Sequence, residues 1–378
     1  MRFFMDGRYM RTDYHDGISR FSLSLIHAVA RITEPTVILH DPAQRELIPQ
    51  DTPVVYLHSP TSLSEPLAAR RLNAYQPDVV FTPMQTFGSM GRKFGLILTL
   101  HDLIYYQHRT PPQDLPQPIR GLWYLYHLTY WPQRLLLNQA DAVVTVSMTS
   151  QRLIRKHRLT SRPVHVVSNA PQNTSVRRDP TQRHQKSLVY MGSYMDYKNV
   201  ELLIEAMQHL PAYQLHLCSP ISDQRRQELT ASAHRHHVAQ HQLIFHDGIQ
   251  ERDYQQLLAS ATALVTASRS EGYGLPVAEA MAQGTPVIVP NLEIFQEIAG
   301  QKNPGAMFLN LNDTDPARQL AQHVRRLEDP TVFRAASQGA VHQAQTFDWD
   351  ASAQTLLALA ETIQRRRTAP KTYGTGSE

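Results

Sequence analysis

Thirteen short apolar runs, each five to seven residues long, constrain this chain more than any other feature. Seven lie in the first half: Arg2–Asp6, Thr36–His40, Val54–His58, Asp78–Pro83, Leu96–Asp102, Ala142–Ser147 and Val164–Asn169. Six follow: Leu188–Gly192, Tyr213–Ser219, Gln242–Gly248, Ala263–Ser268, Pro286–Pro290 and Ala306–Asn310. Their apolar character is continuous rather than alternating, as expected of parallel strands covered on both faces. Helical patterns such as SRFSLSLIHAVARI and TSQRLIRKH separate them, and NVELLIEAMQHL opens on Asn199, a predicted N-cap. The expected class is α/β, with two Rossmann-like, doubly wound domains in tandem.

The segment VVSNAPQNTSVRRDPTQRHQKS (Val166–Ser187) is rich in Pro, Asn, Ser and charge, and marks the break. We expect an N-terminal domain over 1–168 and a C-terminal domain over 169–348. A C-terminal helix over 349–366 packs back towards the N-terminal domain, and 367–378 form a disordered tail. In such sheets ligands bind beyond the carboxyl ends of strands, and with two domains the expected substrate site is the cleft between them. A hinge is expected near Val166–Asn173.

The apolar runs are too short to span a bilayer, and MRFFMDGRYM lacks a signal-peptide layout, so a cytoplasmic protein is expected. The single cysteine, Cys218, excludes an internal disulfide and a cysteine metal cluster, and reads as a small buried apolar residue. Charge is uneven. Residues 1–168 hold 18 Lys or Arg against 12 Asp or Glu, whereas 169–378 hold 19 against 21. A basic first half suits an anionic ligand or an anionic lipid surface; the excess is small and no nucleic-acid motif accompanies it.

Among the segments that follow strands, EGYGLPVAEA (Glu271–Ala280) stands out. Gly272 and Gly274 permit a tight turn, Pro276 suits a helix start and Gly284 its end. The helix N-terminus is a ready anion site. Glu271 and Glu279 would repel a phosphate. By spacing alone they are either hydroxyl acceptors for a ribose and a sugar, or a helix-capping and a solvated glutamate.

The stretch SRSEGYGLPVAEAMAQGTPVIVP closely resembles the glutamate-x7-glutamate signature of GT-B-fold retaining glycosyltransferases of family four. Other segments resemble the family in the same order. DGISRF looks like the glycine loop after the first strand, LTLHDL the His-Asp element, MGSYMDYKNVELLIEAM the Lys-Asn segment and HDGI the base-contacting loop. The resemblance runs from Asp6 to about Ile363. It implies two domains facing across a cleft. It implies that Glu279 binds the donor ribose, that Glu271 faces the sugar and the cationic transition state, and that Lys198 neutralises the leaving diphosphate. Gly272, Tyr273, Gly274 and Leu275 would offer amides to the donor, Gly248 and Ile249 would meet its base, and Gly17 would approach the diphosphate. His101 would sit beside the sugar. Asp13, Tyr14 and Asp102 are the expected acceptor-side residues. Ser193 stands in the donor loop where many members have Arg, so Lys198 acts alone there or with Arg20 or Arg269.

The resemblance implies a retaining hexosyltransferase using a nucleotide sugar, best read as GDP-mannose, on a glycan, lipid-linked or glycolipid acceptor. A UDP-sugar donor is the alternative. A sugar-nucleotide epimerase and a non-catalytic binding module are further ones. No Asp-x-Asp motif follows a strand, so neither a metal nor a cofactor is expected. The aromatic segment RGLWYLYHLTYWPQRLLL (Arg120–Leu137) reads first as a buried helix packed on the sheet. Its alternative is a peripheral contact with lipid on the cytoplasmic face of a membrane.

Overall fold

The computed structural model describes residues 1–12, 17–111, 117–172, 176, 178–179, 181 and 185–369. The chain divides into two compact units. One comprises residues 1–169 with the C-terminal helix from Trp349; the other is Ala170–Asp348.

In the first unit the order is β1 (Phe3–Asp6), α1 (Gly17–Ile32), β2 (Thr36–Leu39), β3 (Val54–Tyr56), α2 (Ala68–Leu72), β4 (Val79–Phe81) and β5 (Gly95–Thr99). Then come α3 (Ile104–Gln107), α4 (Gln117–His127), α5 (Trp131–Leu137), β6 (Ala142–Thr145), α6 (Met148–Lys156) and β7 (Val164–Val166). The second unit runs β8 (Ser187–Tyr190), α7 (Val200–Met207), β9 (Gln214–Leu217), α8 (Asp223–Arg235), β10 (Leu243–Phe245), α9 (Glu251–Ser260), β11 (Ala263–Val265) and α10 (Leu275–Ala282). It closes with β12 (Val287–Pro290), α11 (Glu293–Ala299), β13 (Ala306–Leu309), α12 (Pro316–Arg326) and α13 (Pro330–Ala344). The final helix is α14 (Trp349–Thr368).

All thirteen expected strands form. The first sheet has the order β3-β2-β1-β4-β5-β6-β7 and the second β10-β9-β8-β11-β12-β13. Every pairing between neighbours is parallel; Phe4, for example, sits between Thr36 and Val80 in register. Both sheets therefore reverse their winding at one point, between β1 and β4 and between β8 and β11, the place where doubly wound sheets bind ligands. The central strands β1, β4, β5, β6, β8, β11 and β12 are buried end to end, which is why their sequences do not alternate, while the strands nearer the sheet edges are partly exposed.

Helix α1 buries Phe21, Leu25, Ala28 and Val29, one stripe at helical spacing. Burying each large side chain of such a stripe contributes about 1.5–3 kcal/mol. Helix α14 completes this unit. Trp349 meets Phe21 at 6.0 Å between ring centroids, Arg31 pairs with Asp350, and a Cβ on Gly95 would lie 2.5 Å from Ile363. The helix extends through Thr368, past the boundary expected at 366. Arg367 donates to the Lys93 carbonyl and Arg365 pairs with Glu361, so the last turn has partners that composition does not disclose. The rest of the expected tail, 370–378, lies outside the described residues.

In the loop after β1, Arg8 is buried. Its guanidinium donates to both Asp6 carboxylate oxygens and both Glu65 oxygens at 2.8–3.0 Å. Burial alone would weaken the guanidinium's hold on its proton, but the two carboxylates more than reverse this and push its pKa up. The aromatic segment is not one buried helix. It is α4 and α5 joined by a turn, with Pro132 in the first turn of α5 and much of the apolar surface facing outward. Asn199 occupies the N-cap position in a left-handed conformation, φ 53°, and its side chain makes no cap bond.

Candidate active site

The second unit gathers its predicted residues on the loops beyond the carboxyl ends of its strands. After β8 the Tyr190 hydroxyl donates to the Ser193 carbonyl at 2.6 Å and closes the loop, while the Gly192 amide donates to Ser219 Oγ at 3.0 Å. The Ser193 side chain is exposed. A single 3-10 turn, Asp196–Lys198, then aims Lys198 back over the sheet, and left-handed Asn199 redirects the chain into α7. Asn tolerates that conformation better than most residues.

The loop after β11 meets it. Lys198 Nζ donates to Glu271 Oε1 at 2.6 Å, and Ser268 Oγ donates to the same oxygen at 2.8 Å. The two charged side chains are only 14% and 12% exposed, which strengthens the pair relative to one in water. Backbone bonds lock the junction: the Arg269 amide donates to the Tyr197 carbonyl at 2.7 Å, and Arg269 Nη2 reaches Asn199 Oδ1 at 3.3 Å. Lys198 and Glu271 thus come from the two loops that flank the switch point between β8 and β11. Arg269 brings a second cation to the same junction, which suits it to the place where Ser193 has none.

Beyond Glu271 the left-handed turn falls on Gly274, φ 96°, and not on Gly272. A Cβ at 274 would also lie 2.9 Å from the Phe295 ring. Pro276 lies in the first turn of α10 and has no N–H to leave unpaired there. The Tyr273 ring is buried against Phe347 and turns away from solvent, leaving its backbone as the part suited to a ligand. Glu279 is half-buried on α10, and Gly284, φ 83°, follows the helix.

The loop after β10 carries Gly248 and Ile249. Asp247 and Gly248 are both left-handed, and the Ile249 amide donates to the Cys218 carbonyl at 3.1 Å. Asp247 Oδ1 accepts from the Ile221 amide, which ties this loop to the one after β9. Beneath it His216 Nδ1 and His246 Nε2 share a hydrogen bond of 2.9 Å with their rings stacked. Burial, and then His246, push His216 down to about 4. Cys218 is wholly buried, and burial pushes its thiol up to about 12.

The first unit holds the others. His101 follows β5. Its Nε2 hydrogen-bonds the Pro83 carbonyl at 2.8 Å, which puts a proton on that nitrogen, and its ring stands edge-on to Phe21 at 5.1 Å. Asp102 Oδ1 accepts from the Ile104 amide at 2.9 Å and orders the start of α3. Gly17 begins α1 and is exposed. Asp13 and Tyr14 lie outside the described residues. Among the described residues no three of His, Cys, Asp or Glu are grouped to hold a metal ion.

Ser268 was not a predicted residue. The signal for it was a hydroxyl three positions before Glu271 at a strand end, and without the loop's geometry that hydroxyl has many equally good partners. The same holds for Asp6, whose carboxylate also accepts from Thr82 across the first unit's switch point at 3.2 Å.

Two families match in tandem: the Glycosyltransferase Family 4 family over residues 15–170, and Glycosyl transferases group 1 over residues 172–338. The chain is 29% identical over 157 residues to "Serotype-specific mannosyltransferase WbdA" of Escherichia coli, covering 40% of this chain and only 19% of that relative. It is 24% identical to "O-antigen chain mannosyltransferase B" of Escherichia coli, over 88% of this chain and 93% of the relative. Among solved structures, Anabaena Alr3699/HepE, in complex with UDP and glucose, superposes with a TM-score of 0.70 at 18% identity. The match covers 96% of this chain and all of that one.

Proposed function

We propose that this chain, which belongs to the family-four, group 1 glycosyltransferases, moves a hexose from a nucleotide sugar to a glycan or lipid-linked acceptor with retention of configuration. The observation that carries the proposal is the Lys198–Glu271 pair at the switch point, beside the Gly274 turn. In this reading the donor's diphosphate displaces Glu271 from the Lys198 amine, which then neutralises the leaving group together with the turn amides. Glu271, held by Ser268, becomes available to the sugar hydroxyls and to the positive charge that develops at the anomeric carbon. Glu279 takes the ribose hydroxyls, and Gly248 and Ile249 meet the base.

No carboxylate is assigned as a nucleophile. The acceptor oxygen attacks from the face the diphosphate leaves, and the departing phosphate oxygen takes the acceptor's proton. An amine and amides do the charge neutralisation that a metal does elsewhere, so the reading is metal-independent and requires no cofactor. The first unit takes the acceptor, with Asp102 beyond β5, and the protein works at the cytoplasmic face of a membrane.

The two mannosyltransferase relatives favour GDP-mannose as donor. The HepE complex, which holds UDP and glucose, favours a UDP-sugar as the second reading. The test is to incubate the chain with GDP-mannose or UDP-glucose and a lipid-linked oligosaccharide, and to read the product's anomeric linkage by NMR. An α-linked mannoside formed with release of GDP is expected. Release of UDP alone moves the donor to the second reading. An inverted linkage overturns the mechanism, and no product with any donor points to a binding module.

A further inference from the structure

Sixteen large hydrophobic side chains are exposed among the described residues, and eight of them fall between Tyr105 and Leu135. Helix α4 is apolar on two sides. Its inner side is spent within the unit: Trp123 stands edge-on to Tyr105 at 5.0 Å, and His127 packs on Tyr106, also at 5.0 Å. The outer side, continued along α5, presents Ile119, Leu122, Leu125, Leu128, Trp131 and Leu135. Leu122 is 69% exposed, Trp131 65% and Leu125 62%. A helix covered on one face should be polar on the other, and this one is not.

The surface beside these residues is basic. Residues 104–162 hold eight Lys or Arg against two Asp. Arg134, between Trp131 and Leu135, donates to the His157 and Arg158 carbonyls, and the Tyr130 and His157 rings lie 4.7 Å apart. These contacts bring the end of α6, with exposed Arg155, Lys156 and Arg158, against α5. Burial pushes the Tyr130 hydroxyl's pKa up, and the nearby Arg109 guanidinium opposes that shift.

We propose that the outer face of α4 and α5 is a docking surface for an anionic lipid bilayer, with the apolar side chains in the interface and the α6 cations on the headgroups. Charge complementarity selects this occupant. A second copy meeting the same patch about a two-fold axis would set one cationic rim against the other, whereas anionic headgroups neutralise it. A tryptophan and tyrosines among leucines also suit the boundary between headgroup and acyl chain. The surface gives the membrane contact in the functional reading above a specific location, but its test requires no transfer.

The full chain is floated with vesicles of phosphatidylcholine alone or with about 30% phosphatidylglycerol, a content that gives a strongly negative surface. Two triple variants are compared, Leu122→Ser/Leu125→Ser/Trp131→Ser and Arg155→Gln/Lys156→Gln/Arg158→Gln, each first shown to melt with the wild type. Wild type is expected to float with the anionic vesicles only, with a blue shift of tryptophan emission that Trp131→Phe removes. The apolar variant should lose at least about tenfold in partitioning, and the charge variant should lose severalfold, as should wild type in roughly 0.5 M salt. Failure of wild type to float, or equal flotation of the apolar variant, overturns the proposal. So does a wild-type dimer that the apolar variant converts to a monomer, since the occupant is then a second copy. The vesicles hold neither donor nor acceptor, so flotation without turnover overturns only the transferase reading, and turnover without flotation only the docking surface.

Discussion

The pair formed by Lys198 and Glu271 can be tested by breaking it from each side. Lys198→Met keeps the length of the stem and removes the charge. Glu271 then keeps Ser268 as its hydroxyl donor, in a setting only 12% open to water. Removing one partner of a wholly buried pair costs about 3–5 kcal/mol. Here the remaining access to water relieves part of that, so the expected cost is roughly 2 kcal/mol. In a unit of this size that lowers Tm by about 4–8 °C. Glu271→Gln is nearly isosteric, keeps the Ser268 bond and leaves the amine an amide oxygen, at a cost of about 1 kcal/mol. The double variant no longer holds an unpaired carboxylate and should melt above Lys198→Met, with a coupling of about 1–2 kcal/mol. Ligand binding separates the two residues further. Lys198→Met should weaken nucleoside diphosphate binding by roughly 10–100-fold, whereas Glu271→Gln should bind it as well as wild type or better, because the amine is no longer shared. Scanning fluorimetry and titration calorimetry on the four proteins read both effects. Additive melting shifts, or equal loss of affinity in both single variants, would refute the reasoning.

Gly274→Ala forces a side chain into φ 96° and against the Phe295 ring, and should cost about 1–3 kcal/mol in strain alone. Adding Phe295→Leu should restore part of the lost Tm, since it relieves the contact and not the dihedral. Arg8→Met leaves the Asp6 and Glu65 carboxylates without their cation, a loss of about 3–5 kcal/mol that Asp6→Asn should partly recover in thermal melts. His216 has its folded pKa depressed to about 4, so below its ordinary value near 6.5 the unfolded chain takes up the proton first. Stability is then full above about pH 6.5 and falls as pH drops towards 4; His216→Gln should flatten the fall in Tm between pH 7.5 and 5.

The central strands were legible because they are buried on both faces, and continuous runs such as VIVP and LILTL have no alternative home in a globular chain. The turn at Gly274 and the stop at Gly284 were legible because each needs a conformation that glycine adopts freely. Lys198 and Glu271 came from the resemblance, and the structure adds their direct contact. What stayed hidden depends on distant partners. Arg8 reads as a loop residue until Glu65, far along the chain, arrives to pair with it. Asn199 has the right type and place for a cap, yet the turn after Lys198 demands a left-handed residue and its side chain goes to Arg269. The aromatic segment misled because composition reports how apolar a helix is and not which of its sides the fold covers. Trp123 lies inward on Tyr105, and Trp131, eight residues on, stands in solvent.

The most direct measurement is a melting-temperature panel of wild type and Lys198→Met with GDP, UDP, ADP, GDP-mannose and UDP-glucose. A ligand at 100 times its Kd stabilises by about 2.7 kcal/mol, well within reach of the method. The expected result is a selective rise with GDP and GDP-mannose in wild type that Lys198→Met loses. A rise with UDP and UDP-glucose instead keeps the site and changes the donor. No rise with any nucleotide, or an equal rise in the variant, contradicts a donor site built on Lys198 and Glu271.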